Sequence, residues 1–238
     1  MQTFKQKLMK HFALNEDEFN ALTKVSNIAN LPPFTRFNDI EKIVKRIFLA
    51  LENGEKIVVY GDYDCDGVMA TSIVVSTFAK LNYPLEYKLP SRYQDGYGLN
   101  KQSVEKFANE GVSLIITVDN GISQIDAITF ANHKGIDVIV TDHHELLGEL
   151  PPSYALMHPT LSSYGATVAC GAYVALMLSR ALLGYFDDYL VALAGIATIS
   201  DMMPLVSYNR EIVRLTLDLI NRNRYETLIK LAETNEVT

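Results

Sequence analysis

The sequence predicts an α/β protein: a parallel five-stranded sheet with helices on both faces, an α/β/α sandwich, followed by a helical segment. Three observations carry this. Between Lys56 and Met157, short β-branched runs alternate with helix-compatible stretches, as in parallel strands joined by crossover helices. Three of those runs break directly into carboxylates or imidazoles, at the strand ends where open α/β sheets bind ligands. After Val168 the strand runs stop and only helical periodicity remains.

Taken in order, residues 1–50 read as a helical extension, polar on one face, that caps the main domain. Phe4, Leu8, Phe12 and Leu14 give a loose amphipathic pattern, and Ile40, Ile43, Val44, Ile47, Phe48 and Leu51 a clearer one over Asp39–Leu51. Leu31-Pro32-Pro33 separates the two, because proline lacks the N–H that a continuing helix needs. The main domain is expected over residues 51–238, with its sheet in 56–160 and its helical part in 165–235. Lys56–Tyr60, Leu85–Leu89, Ser113–Val118, Ile136–Thr141 and Tyr154–Met157 are the five strands. Helices are expected at Val68–Leu81, Lys101–Glu110 and Ile122–His133 between them, and at Val168–Leu183, Asp188–Ser200, Asn209–Asn221 and Tyr225–Ala232 afterwards.

The 238 residues can bury a substantial core, and 48% hydrophobic with 21% charged content is that of a globular protein in water. The longest apolar run, Leu190–Ile199, is too short to span a bilayer and no charged-then-apolar leader opens the chain. A cytoplasmic protein without membrane contact is the expectation. Cys65 and Cys170 do not make a disulfide framework. A net charge of −7 argues against a broad basic footprint for nucleic acid. It leaves room for a nucleic-acid enzyme whose acidic metal site holds much of that charge.

The strand ends carry the chemistry. The first runs Ile57-Val58-Val59-Tyr60-Gly61 into Asp62, Asp64 and Asp66; the third ends in Asp119-Asn120-Gly121; the fourth ends in Asp142-His143-His144-Glu145. Clustered carboxylates repel one another and burial makes this worse, so such a loop calls for a cation. One aspartate after a strand is usually a helix cap, but three neighbouring strand ends with metal-capable groups are not explained that way. Asp62-x-Asp64-x-Asp66-Gly67 matches the start of a calcium loop, yet position twelve is Ile73 and a strand, not a helix, precedes it. An aspartyl-nucleophile phosphatase would leave the two histidines without a role. Mixed carboxylate and imidazole donors suit manganese, magnesium or zinc. Five or six such donors fit two ions about 3.5–4 Å apart, an arrangement suited to phosphoester hydrolysis.

Four motifs, in this order and spacing, resemble those of the DHH phosphoesterase superfamily: Asp62-Tyr63-Asp64-Cys65-Asp66-Gly67, Asp119-Asn120-Gly121, Asp142-His143-His144, and Asp201 within Ile199-Ser200-Asp201-Met202-Met203-Pro204-Leu205. Within it, the run Glu55–Gly61, the stretch Arg92-Tyr93-Gln94-Asp95-Gly96-Tyr97-Gly98-Leu99 and the Gly171-Ala172 helix are similar to the bacterial exonucleases that degrade single-stranded DNA from 5′ ends. The resemblance spans residues 30–235.

It implies that Asp64, Asp66, Asp119, His143 and Asp201 ligate two divalent ions, manganese first and magnesium second, with Asp119 bridging them. Asp62 would ligate or support a ligand. His144 would face the scissile phosphate and Asp142 would orient an imidazole, making Asp119, His144 and Asp142 the catalytic set. Tyr60 stands where pyrophosphatase-like members carry a histidine, which disfavours that branch. Arg92 could grip a phosphate and Tyr97 stack on a base, although a glycine-rich turn with a surface arginine explains the same stretch. His158-Pro159 reads as a strand-ending turn, His11 and His133 as surface residues, and Cys65 as a small packing residue. The implied partners are single-stranded DNA and replication or repair proteins. The implied activity has two rivals: phosphodiester hydrolysis of short oligonucleotides or cyclic dinucleotides, and a non-catalytic interaction module, which the intact motifs disfavour. Family members carry a second, substrate-binding domain, and the residues here end at Thr238 before any counterpart of it.

Overall fold

The computed structural model describes residues 3–93, 96–164, 169–222 and 225–234. Five strands, β1 (Lys56–Tyr60), β2 (Glu86–Lys88), β3 (Val112–Val118), β4 (Asp137–Thr141) and β5 (Ala155–Met157), form one sheet in the order β2-β1-β3-β4-β5, every pairing parallel. The helices are α1 (Phe4–His11), α2 (Glu16–Thr23), α3 (Ile40–Glu52), α4 (Cys65–Lys80), α5 (Lys101–Asn109), α6 (Ile125–His133), α7 (Gly171–Leu183), α8 (Asp188–Ser200), α9 (Ser207–Arg222) and α10 (Glu226–Thr234).

The pleat explains why the strands read as continuous apolar runs. Successive side chains point to opposite faces, and both faces are covered. Ile57, Val59, Leu114, Ile116 and Ile139 pack with α3, α4, α7 and α8, whereas Val58, Tyr60, Ile115, Val138 and Val140 pack with Val104 and Phe107 of α5 and Ile128 of α6. The connection from β1 to β2 runs over the first face through α4. Those from β2 to β3 and from β3 to β4 run over the second through α5 and α6. The strand order therefore reverses between β1 and β3, and a crevice opens at their carboxyl ends, where ligands of open sheets bind.

Boundaries move where side chains bond the main chain. α4 starts at Cys65 rather than Val68, because Asp64 Oδ1 accepts the Gly67 N–H at 2.9 Å and caps the helix. The acidic loop thus becomes the first helical turn and carries Asp66 with it. α6 starts late, at Ile125, because Gly121–Gln124 forms a turn closed by the Gly121 N–H donating to Gln124 Oε1 at 2.9 Å. The expected start of α7 at Val168 lies outside the described residues.

The first fifty residues divide unevenly. α1 and α2 have no buried residue, while Leu31, Phe37, Ile40, Ile43, Ile47 and Ala50 belong to the main core. The expected division between residues 50 and 51 falls inside α3. Phe48, read as part of the buried stripe, is 37% exposed. No helix among the described residues is long and apolar enough to cross a membrane.

Candidate metal centre

Close approach of backbone folds the first acidic loop. A Cβ at Gly67 would lie 2.6 Å from Asp62 O, so no side chain fits between the helix start and the strand end. Asp62 is buried and its Oδ1 accepts the Tyr63 N–H at 2.7 Å. Asp64 stays exposed as the α4 cap. Asp66 is buried against the first turn of α7, where its two oxygens accept the Gly171 N–H at 2.6 Å and the Ala172 N–H at 2.8 Å. Those amides have no partner within their own helix, and the positive end of its dipole favours a carboxylate there.

Asp119 follows β3 in the left-handed region, at φ +61°, with its N–H donating to Thr141 O at 3.0 Å. Such backbone is uncommon for a residue with a side chain. Here the strand bond and burial hold it. Asn120 ties the ends of two strands together, its Nδ2 donating to Tyr60 O at 3.1 Å and to Val118 O at 2.9 Å. Gly171 leaves room for Asp119, since a Cβ there would lie 2.4 Å from Asp119 Oδ1.

Asp142, fully buried after β4, is saturated with donors. Its Oδ1 accepts the His143 N–H at 2.7 Å, the His144 N–H at 3.1 Å and His144 Nδ1 at 2.7 Å, and its Oδ2 accepts the Ile122 N–H at 2.9 Å. Burial would raise its pKa, but these bonds and the nearby imidazole outweigh it and the carboxyl is held below its usual value. In return His144 is raised despite its burial, chiefly through the bond to Asp142.

His143 Nε2 is the meeting point. It lies 3.0 Å from Asp119 Oδ1, 3.5 Å from Asp66 Oδ2 and 3.7 Å from Asp201 Oδ2. Asp201, at the C-terminal end of α8, reaches in from the helical part. Asp119 Oδ1 and Asp201 Oδ2 are buried, yet no hydrogen bond reaches either. Burial, then the neighbouring Asp66 and Asp64 charges, push Asp119 well above its usual pKa and Asp201 up to about 6. Burial also raises Asp62, and it lowers His143. Bare, mutually repelling oxygens around an imidazole nitrogen fit a divalent cation, and the oxygen–nitrogen donor set suits manganese, magnesium or zinc. Two more groups of donor atoms lie within 4.8 Å of one another, Asp62 with Asp64 and Asp119, and Asp119 with His143 and His144. Asp119 is common to both.

Every residue predicted to hold metal, Asp62, Asp64, Asp66, Asp119, His143 and Asp201, lies in one of these groups. Tyr97 stands at the crevice, its hydroxyl 3.2 Å from His144 Nδ1. Arg92 lies over the Tyr63 ring, 5.4 Å from its centroid, beside the first acidic loop. Gln94 and Asp95 fall outside the described residues. Tyr60 is buried on the α5–α6 face, and its hydroxyl donates to Gly98 O at 3.2 Å. His11 and His133 are exposed, as read. Cys65 is a correction: it is exposed, because the helix begins one residue after Asp64 and turns that position outward.

Sequence reasoning missed the two α7 amides, the Asn120 tie, the Tyr63 ring under Arg92, and the burial of His158. The available signals, a polar residue beside a motif and the Gly171-Ala172 pair that opens a helix, name no partner.

The model of the DHH family, N-terminal domain, matches residues 56–198. The single-stranded-DNA-specific exonuclease RecJ of Bacillus subtilis is 41% identical over 209 residues, which cover 84% of this chain and 27% of that protein. The chain thus spans about a quarter of that curated relative's length. A crystal structure of exonuclease RecJ bound to manganese superposes with a TM-score of 0.78 at 32% identity, over 87% of this chain and 54% of the other. RecJ of Thermus thermophilus in complex with Mn2+ gives 0.79 at 28% identity, over 98% of this chain and 34% of that one.

Proposed function

Since the chain belongs to the DHH family, we propose that it carries the metal-dependent, phosphodiester-hydrolysing part of a RecJ-like exonuclease acting on single-stranded DNA from 5′ ends, in repair and recombination. The observation that supports this most is the convergence of His143 Nε2 with oxygens of Asp66, Asp119 and Asp201, two of them buried and without any donor. Asp66, Asp119, His143 and Asp201 would hold one divalent ion, and Asp62, Asp64 and Asp119 a second, manganese before magnesium. When bound, such ions neutralise a phosphodiester and lower the pKa of the attacking water.

The chain's own groups do the rest. Asp142 holds the Nδ1 proton of His144, which leaves Nε2 for the substrate. The bond to Asp142 raises the imidazole pKa, which makes that nitrogen a better carrier of a proton for the departing oxygen. Tyr97 beside His144 and Arg92 over Tyr63 line the approach, where a base can stack and a phosphate be gripped. On this reading the catalytic unit takes in α3 and the core residues from Leu31 onward, and the helical extension is α1 and α2, in a cytoplasmic protein that meets replication or repair proteins.

The test is manganese-dependent release of nucleotides from 5′-labelled single strands. Asp119→Ala and His143→Ala are expected to reduce release at least 1,000-fold, on the order of losing a catalytic ion's charge stabilisation. Undiminished release by either variant, or cleavage of dinucleotides in preference to long strands, overturns the reading.

A further inference from the structure

The pairing of β4 with β5 continues one residue past the strands, where the Asp142 N–H donates to Met157 O at 3.2 Å. Beyond that point His143 and His144 leave the sheet, and their peptide groups need other partners. Asp142 takes the donors, accepting both N–H groups on Oδ1. The acceptor, His144 O, is met by the residue that follows Met157 on the β5 side. His158 Nε2 lies 2.9 Å from it. The other ring nitrogen, Nδ1, accepts the Thr160 N–H at 3.2 Å. A neutral imidazole has one proton, so an acceptor at Nδ1 puts it on Nε2, pointing at His144 O. The turn that carries the ring is closed by Ser162 Oγ, which donates to His158 O at 2.8 Å. The ring is only 1% exposed, and nothing in the proposed chemistry uses it directly.

We propose that His158 is a positioning residue of the metal centre: as the Nε2–H tautomer it anchors the His144 carbonyl, and so fixes the direction in which the His143 and His144 rings point. A side chain here continues the pairing that the main chain provides one residue earlier. The peptide segment is then gripped from both sides, its N–H groups by Asp142 and its carbonyl by His158. Without the second grip the segment can rotate about Asp142, and His143 Nε2 leaves the oxygens of Asp66, Asp119 and Asp201. The proposal rests on the metal-centre reading above, and its role is distinct from turn filling, which any flat ring would serve.

His158→Phe keeps a ring of similar shape and removes both bonds. His158→Gln keeps an amide donor near the position of Nε2. Calorimetric titration of the full chain with MnCl2 is expected to show binding about 10-fold weaker for His158→Phe, the usual scale for a group supporting a metal-ligating histidine, and within about 3-fold of the parent for His158→Gln. Parent-like binding by His158→Phe, or equally weak binding by a folded His158→Gln, overturns the role. The parent chain gives a test that needs no variant to fold. Its imidazole 15N spectrum at pH 7 is expected to show His158 protonated at Nε2; protonation at Nδ1 overturns the proposal. If the parent binds no manganese, the metal reading falls, while the tautomer and the shift of the His144 amide in His158→Phe still decide the anchor.

Discussion

Replacing Gly171 by alanine changes one methyl group and should reach two acidic residues at once. The new Cβ would stand 2.4 Å from Asp119 Oδ1, 2.6 Å from its Cβ and 2.7 Å from its Cγ. Ordinary contact begins at 3.4 Å, so about 1 Å of separation has to be found. Asp119 cannot readily supply it, because its left-handed backbone and its bond to Thr141 O fix its Cα. If the carboxylate rotates, it changes its 3.0 Å approach to His143 Nε2; if α7 retreats, the 2.6 and 2.8 Å bonds to Asp66 lengthen. Misplacement of this size costs about 100-fold in a catalysed rate, and manganese affinity should fall about 10-fold with it. Overpacking costs about 1–3 kcal/mol, partly offset because alanine favours the helix by about 1 kcal/mol over glycine. The metal-free melting temperature should therefore fall by only a few degrees. Gly184→Ala is the control on the same helix: its φ is +82° and nothing stands near, so stability drops about 1 kcal/mol without change in metal binding. Calorimetry with MnCl2 and a cleavage assay read both. Parent-like manganese affinity in Gly171→Ala would refute the reasoning.

The acidic cluster also makes a pH prediction. Asp201 and Asp119 have folded-state pKa values above the unfolded 3.8, so the folded chain holds their protons more tightly. Stability from these groups is present at low pH and lost as pH rises through about 6, the Asp201 value. A cation offsets that loss, so melting scans should show a larger gain from MnCl2 at pH 7.5 than at pH 5; an equal gain at both counts against it. Asp142→Asn keeps the size but turns an amide N–H toward one of the donors that the carboxylate accepts, including the Ile122 N–H. Cleavage should fall about 100-fold or more, as for other carboxylates that set a histidine tautomer, while manganese affinity changes less than 10-fold. Loss of metal binding in step with cleavage would show that the full carboxylate is needed to grip the His143 peptide and not only to set the His144 tautomer.

Much of the fold was legible because it is local. β1 and α8 have the limits read from the sequence, Lys56–Tyr60 and Asp188–Ser200, since β-branched runs and an aspartate cap mark them without help from the rest of the chain. The candidate ligands were legible because parallel strands deliver their ends to one edge. Partnerships between distant polar groups were not. Nothing near Asp66 announces that its carboxylate bonds main-chain amides 105 and 106 positions later. Nothing near His158 announces that its ring reaches a carbonyl 14 positions earlier. Cys65 was misread for a related reason. Its exposure depends on where α4 starts, and that start is set by Asp64 turning back on Gly67.

The buried carboxylates Asp142, Asp66 and Asp119 and the half-buried Asp201 differ in how many N–H groups reach them. Asp142 accepts four, its pKa falls, and its charge is spent holding His144 and the peptides around it. Asp66 accepts two from α7, which fixes its plane while leaving Oδ2 within 3.5 Å of His143 Nε2. Asp119 Oδ1 and Asp201 Oδ2 accept none, and both groups are raised. An unpaired buried carboxylate is costly, and a chain free to relax would give it a donor or send it to solvent. For Asp119 both options are blocked by left-handed backbone packed against Gly171, while Asp201, whose side chain is 27% exposed, keeps its Oδ2 buried in the crevice. The donors that build the crevice, Gly171, Ala172, Asn120 and His158, are themselves not ligands. They fix Asp66, the ends of β1 and β3 and the His144 peptide around the two bare oxygens, and that bareness is what a cation answers.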